Sequence, residues 1–346
     1  MKVKGLAALQ AGGPLVPYEF ERRAVGTKDV AFKISHAGIC HSDIHQVKEE
    51  WGPALFPMVP GHEIVGFVSE IGSEVKKFKV GDRIGVGVFI DSCRECEPCK
   101  TGLQQYCDKG MTGTYNGYER DGKTVAFGGY SNGFVINEDY AFQIPSNLEM
   151  AEVAPLLCAG ITLYSPIRYF DTGPDKQVGV MGLGGLGHMG VKFAAALGAE
   201  VTVLSHSESK REDALRMGAK EFIVIKNPED LKPHRRRFDL LLNTVSAQLD
   251  LNAYVQTLKI NGTMAIIGLP DSPYSVNAGT LLDGRKSLTG SMIGGIPEIQ
   301  EMLDFAGKHN ITSDIELINA DYVNQAYLRT VASDVKYRFV IDAATF

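Results

Sequence analysis

The chain has 346 residues, 44% of them hydrophobic and 22% charged, with a formal net charge of -6. That length exceeds one ordinary core and fits two domains, and the composition is globular, which excludes a disordered chain. The acidic balance excludes the broad positive field of a nucleic-acid binder, and no apolar stretch reaches the ~18 residues of a membrane-spanning helix.

The N-terminal stretch MKVKGLAALQAGG has no apolar region followed by a cleavage site. A cytoplasmic protein is therefore expected, with no membrane and no nucleic acid among its partners. From residue 1 to about 150 the pattern is one of short alternating apolar runs broken by glycine, as in DVAFKISHAGI, EIVGFVSEIG and DRIGVGV. This predicts a β-rich module with many turns.

Within that module Cys93, Cys96, Cys99 and Cys107 place four of the six cysteines on one lobe, 91–109. Clustered thiols in a chain without a secretion signal read as a metal site rather than a disulfide framework. Four thiolates fill zinc's tetrahedral shell and leave no open position, so the predicted role is structural. Cys40 in AGICHSDIH, His62 in VPGHEIVG and Cys158 in LLCAGIT stand apart from the lobe. Each by itself reads first as a small buried hydrophobe or as a histidine satisfied by a carbonyl. Nothing in their spacing brings them together.

Near 150 the character changes. The run EMAEVAPLLCAGITLYSPI reads as helical, beginning after the Pro145-Ser146 turn. Apolar strands predicted at 177–182, 200–205, 221–225, 238–245, 262–269 and 287–293 then alternate with helical segments. That alternation predicts an α/β fold class with a doubly wound parallel sheet, the Rossmann arrangement. From about 294 the tail returns to mixed structure, with a helix over 297–309 and a closing strand at KYRFVID. The domains are accordingly read as 1–149 with 294–346, and 150–293. The basic run His234 to Arg237 reads as a solvated turn.

The residues Gly182, Leu183, Gly184, Gly185, Leu186 and Gly187 match G-x-G-x-x-G between the apolar strand QVGVM and the helix-like HMGVKFAAALG. In that context the first glycine permits the tight turn, the second lets backbone approach a pyrophosphate, and the third lets helix and strand pack closely. An acid at the end of the second strand would bond a ribose 2′-OH and repel a 2′-phosphate. This chain instead reads Ser205, His206, Ser207, Glu208, Ser209, Lys210. The hydroxyls of Ser205 and Ser207 and the cation of Lys210 suit a phosphate, so NADP(H) is the expected cofactor.

At these residues the chain resembles the zinc-dependent medium-chain alcohol dehydrogenases along essentially its whole length, and the cinnamyl alcohol dehydrogenase branch in particular. The likeness rests on Gly61, His62, Glu63, Gly66, Gly72 and Val75, on the four-cysteine lobe and on GLGGLG. It implies a GroES-like catalytic domain beside the Rossmann domain and two Zn2+ per chain, one catalytic and one structural. It implies that Cys40, His62 and Cys158 bind the catalytic zinc. Glu63 would lie beside the metal, as an alternating fourth ligand or as a carboxylate next to it. Asp43 would bond the histidine ligand, and Ser42 and His45 would relay protons. Thr162 would lie near the nicotinamide, and backbone around Leu269 and Ile293 would line its carboxamide. The implied activity is reversible hydride transfer between NADP(H) and a primary alcohol/aldehyde pair, aromatic or aliphatic, by a homodimer. After Cys107 the plant lignin enzymes place a tryptophan against the substrate, where this chain reads Met111-Thr112-Gly113-Thr114-Tyr115. Its pocket wall therefore differs, and Trp51, the only tryptophan, reads either as lining that pocket or as packing at the surface.

Overall fold

In the computed structural model, which describes residues 1–270 and 272–346, the strand Asp29–Gly38 is the axis of the β-rich part. Its sheet runs, in spatial order, through Phe142–Gln143, Arg83–Val86, Ile64–Ile71, Asp29–Gly38, Arg338–Asp342 and Ile315–Ile318. Gly133–Asn137 also pairs with Asp29–Gly38. Val30, Phe32, Ile64, Val65, Ile84 and Phe134 are buried, so the central strands are covered on both faces here rather than on one, as strict alternation would have it. The closing strand returns antiparallel to the end of the axis, with Val340 opposite Gly38. That pairing delivers Arg338 to the neighbourhood of Cys40. The cysteine lobe is pinched at its base where Phe89–Asp91 pairs with Thr112–Gly113.

Contacts divide the chain into two units, Met1–Ile161 with Gly294–Phe346, and Thr162–Ile293. Residues 150–161, read from the sequence as the start of the nucleotide-binding part, lie in the first unit. The helical run there is not one helix. Met150–Val153 tightens into a 3-10 turn, Ala154–Leu157, and Cys158 then leaves helical geometry at φ -127°, ψ -69°. A second helix, Ala159–Tyr169, departs at 57° to the first. Pro155 stands in the first turn of the 3-10 segment, where its missing N–H costs nothing. Among the described residues, no single helix is long and apolar enough to cross a membrane.

The second unit is a six-stranded parallel sheet in the spatial order Glu221–Val224, Glu200–Ser205, Gln177–Met181, Phe238–Asn243, Leu258–Ile266, Ser287–Gly290. In chain order this is 3-2-1-4-5-6, with its switch point at the first strand. The fifth strand starts four residues before the predicted 262, because Leu258 pairs with Phe238 ahead of an irregularity in the ladder. The sixth stops at Gly290, short of the predicted 293, where Ile293 turns to φ 41°.

Candidate active site

Cys40 stands at the N-terminus of the short helix His41–Val47. Cys158 occupies the non-helical residue at the 57° bend, and His62 and Glu63 immediately precede the strand Ile64–Ile71. These three segments, all in the first unit, bring one donor atom each from Cys40, His62, Glu63 and Cys158 within 4.8 Å of one another. The Cys40 and Cys158 sulfurs are 3.9 Å apart. A disulfide would need about 2.05 Å, whereas two thiolates on one tetrahedral zinc lie about 3.8 Å apart. His62 Nε2 and Glu63 Oε2 are buried without a hydrogen-bond partner. Each such orphan costs about 1–3 kcal/mol, and a metal between the two thiols would satisfy both. The residues fit a zinc ion.

The surroundings hold these groups in place. Asp43, fully buried, accepts from His62 Nδ1 at 2.9 Å and from the backbone N–H of Cys40 at 3.0 Å. Burial pulls the His62 ring down, but the charge and hydrogen bond of Asp43, helped by Cys40, carry it well above its ordinary value. Cys40 is held well below its ordinary value, first by the Cys158 thiol and then, against burial, by His62 and Arg338. Arg338 is only 5% exposed. It donates to Glu63 Oε1 at 2.5 Å and twice to the Ile39 carbonyl, at 2.7 and 3.2 Å. Burial pushes the Glu63 carboxyl up, and the Arg338 guanidinium beside it pulls the other way.

Ser42 Oγ lies 3.5 Å from Cys40 Sγ. The His45 ring is stacked between His41 and Trp51, each 4.6 Å away, and its Nδ1 is bonded to the Glu50 carboxylate. Trp51 thus rests on His45, with about half of its surface still exposed. Tyr115 lies nearly parallel to the His62 ring, 5.9 Å away.

In the lobe, donor sulfurs of Cys93, Cys96, Cys99 and Cys107 all lie within 4.8 Å of one another. The Cys93–Cys99 and Cys96–Cys107 pairs are 3.8 and 3.9 Å apart, again the edge of a zinc–thiolate tetrahedron. Backbone N–H groups of Cys93 and Cys96 point at sulfurs of the same set, as thiolates require.

In the second unit the glycine loop follows the first strand. Gly182 has φ 85°, and a side chain on Gly187 would lie 2.0 Å from the Gly182 carbonyl. A side chain on Gly184 would meet no protein atom within 4 Å, so that residue faces the open space a pyrophosphate needs. Gly185 and Leu186 complete the loop before the helix Gly187–Ala196. Lys210 Nζ donates to the Leu183 carbonyl at 2.9 Å, which brings its cation to the loop. Ser205 and Ser207 are bonded to each other through backbone and hydroxyl, and Glu208 is tied to Arg211 rather than to these hydroxyls. A hollow lined by His206, Ser207, Glu208, Val224, Lys226 and Asp230 opens at the carboxyl ends of the second and third strands. Leu269 and Ile293 follow the fifth and sixth strands at that same edge, the first exposed and the second buried, and Thr162 is buried.

Sequence reasoning missed Arg338 and Tyr130, whose hydroxyl donates to Asp43 at 3.0 Å. The signal for the first was a charge inside the apolar strand RFVID. For Tyr130 there was none beyond the Gly-Gly-Tyr-Ser turn.

Known proteins match the whole of this chain. The alcohol dehydrogenase GroES-like domain family matches residues 26–146, and the zinc-binding dehydrogenase family residues 185–308. The chain is 57% identical over 344 residues to NADP-dependent alcohol dehydrogenase C 1 of Mycolicibacterium smegmatis, covering 99% of this chain and 98% of the relative. It is 49% identical to an aldehyde reductase of Escherichia coli, covering 100% and 99%. Among solved structures, a cinnamyl alcohol dehydrogenase of Sorghum bicolor superposes with a TM-score of 0.95 at 45% identity, covering 99% and 98%. The CAD of Helicobacter pylori complexed with NADP(H) does so with 0.93 at 42% identity, covering 99% of each chain.

Proposed function

This chain belongs to the zinc-binding alcohol dehydrogenases with a GroES-like domain, and from that premise we propose which of its side chains carry the reaction. It is an NADP(H)-dependent alcohol dehydrogenase, or aldehyde reductase, that uses zinc. Cys40, His62 and Cys158 hold the catalytic zinc, with Glu63 as an alternating ligand or as the carboxylate beside it. Cys93, Cys96, Cys99 and Cys107 hold the structural one. The observation that carries this reading is the unpaired His62 Nε2, buried in a group whose four donor atoms lie within 4.8 Å.

When bound, zinc polarises the substrate carbonyl and NADPH supplies the hydride. Asp43 keeps the proton on His62 Nδ1 and leaves Nε2 free to ligate. Ser42 Oγ, beside Cys40, donates the proton that the product oxygen takes up. His45, bonded to Glu50 and partly open to solvent, replenishes it. In alcohol oxidation the same protons run outward. His45→Ala is expected to slow turnover about tenfold and to change the pH–rate profile. An unchanged rate and profile would remove His45 from the relay.

Gly182, Gly184, Gly185, Leu186 and Gly187 hold the pyrophosphate. Ser205, Ser207 and Lys210 hold the 2′-phosphate, and Thr162, Leu269 and Ile293 flank the nicotinamide. The substrates are primary alcohol/aldehyde pairs, aromatic or aliphatic. A direct test compares benzaldehyde reduction with NADPH and with NADH. The wild type should favour NADPH, and Ser205→Asp should lower kcat/KM for NADPH roughly tenfold to a hundredfold relative to NADH, by like-charge repulsion. Equal changes with both cofactors would place the phosphate elsewhere, and no reduction of any aldehyde would sink the activity itself. Among the described residues Ser287–Gly290 is the last strand of its sheet, and pairing of two such edges makes a homodimer the proposed assembly. Sedimentation velocity reads that directly.

A further inference from the structure

Asp43 is a buried carboxylate with two donors on each oxygen. Oδ1 accepts from His62 Nδ1 at 2.9 Å and from the Gly61 N–H at 3.2 Å. Oδ2 accepts from the Cys40 N–H at 3.0 Å and from the Tyr130 hydroxyl at 3.0 Å. Three of these donors belong to segments that carry zinc ligands. The fourth comes from a different part of the chain, and neither zinc binding nor proton transfer uses it.

Tyr130 is fully buried and stapled to the histidine segment through the backbone. Gly128 N–H donates to the Val59 carbonyl at 2.7 Å, Gly129 to Gly61 at 2.8 Å and Tyr130 to Pro60 at 2.9 Å. Arg22 in turn clamps this turn from outside. Its guanidinium donates to the carbonyls of Gly128 at 2.6 Å and Gly133 at 3.1 Å, and to Phe127. The hydroxyl is therefore delivered to Asp43 from a turn tied to the histidine segment by three backbone hydrogen bonds and to Arg22 by its carbonyls.

We infer that Tyr130 is a positioning residue for the catalytic zinc. By locking Asp43 it fixes the plane of the His62 ring, so that Nε2 already points at the two thiols before the metal arrives. This rests on His62 being a zinc ligand. A ligand shell ordered in advance loses less freedom on binding, and partners one step removed from a ligand commonly set metal affinity. Tyr130→Phe removes one oxygen from a packed site and leaves the ring in place.

The test follows release of both zincs from the holoenzyme to a chromogenic chelator. Visible spectra of protein carrying Co2+ at the catalytic site are recorded alongside. Tyr130→Phe is expected to release the catalytic zinc about threefold to tenfold faster, below the 10–100-fold typical of a ligand's direct partner. The structural zinc should leave at the wild-type rate, and the Co2+ bands should shift. In an Asp43→Asn background the same substitution should change nothing further. Wild-type release with unchanged bands overturns the proposal. So does equal acceleration of both zincs, which is general loosening, or an additive effect in the Asp43→Asn background. His62→Ala/Glu63→Gln separates the premise from the inference: if the double variant retains both zincs, the ligand assignment fails rather than the role of Tyr130.

Discussion

His62→Ala is expected to lower kcat/KM for aldehyde reduction by about a thousandfold or more, since a Lewis-acid metal contributes several kcal/mol at the transition state. The variant should lose one of two zincs and keep its fold. His62 supplies the only nitrogen in a set that otherwise offers two sulfurs and a carboxylate. Without it Cys40 and Cys158 remain 3.9 Å apart, but with two ligands rather than three. Glu63 Oε2 is unpaired in the same cluster and is placed to fill in. The double variant His62→Ala/Glu63→Gln closes that route and should be no more active than the single one. Metal analysis beside kinetics decides the matter: two retained zincs with activity within tenfold of wild type would show that the centre lies elsewhere.

The second large effect is on stability. Arg338→Met should destabilise the protein by about 3–5 kcal/mol, the cost of breaking a buried ion pair from one side. Thermal unfolding should shift down by on the order of 10 °C. Arg338 is 5% exposed and Glu63 0%, so neither can turn to water when its partner is lost. The substitution also strips two donors from the Ile39 carbonyl, one residue before Cys40. Glu63→Gln/Arg338→Met should recover part of the loss, because it leaves no buried charge unpaired. Measured with saturating zinc, a shift below about 2 °C for Arg338→Met would show that the pair is already compensated by its surroundings.

The legible parts of this protein are those whose signal is local. Four cysteines within one lobe declared a metal, because short spacing alone confines their sulfurs. The loop Gly182–Gly187 was readable because strand, turn and helix follow one another directly. The short alternating runs of the β-rich part and the parallel strands of the second unit were readable from their periods.

Other features were invisible for the opposite reason. A helical period cannot announce the break at Cys158, since the residues on both sides are equally apolar. The ends of the fifth and sixth strands of the parallel sheet moved by a few residues because pairing with a neighbour, not composition, sets where a ladder stops.

By itself the sequence determined the kinds of chemistry available: thiolate metal binding, a phosphate-accepting helix terminus, and hydroxyls with a lysine where an acid would have excluded NADP. Which separated residues form the candidate centre was implied only by the family resemblance, and the tertiary structure brings them together. Cys40 meets Cys158 across 118 residues of chain, and Glu63 meets Arg338 across 275. Periodicity and motif spacing act over a few turns or one strand, whereas these meetings are set by sheet pairing that returns the C-terminal strand beside Gly38. The residues that read singly as buried thiols and a histidine come together in a group fit for a metal, in which His62 Nε2 is buried without a hydrogen-bond partner.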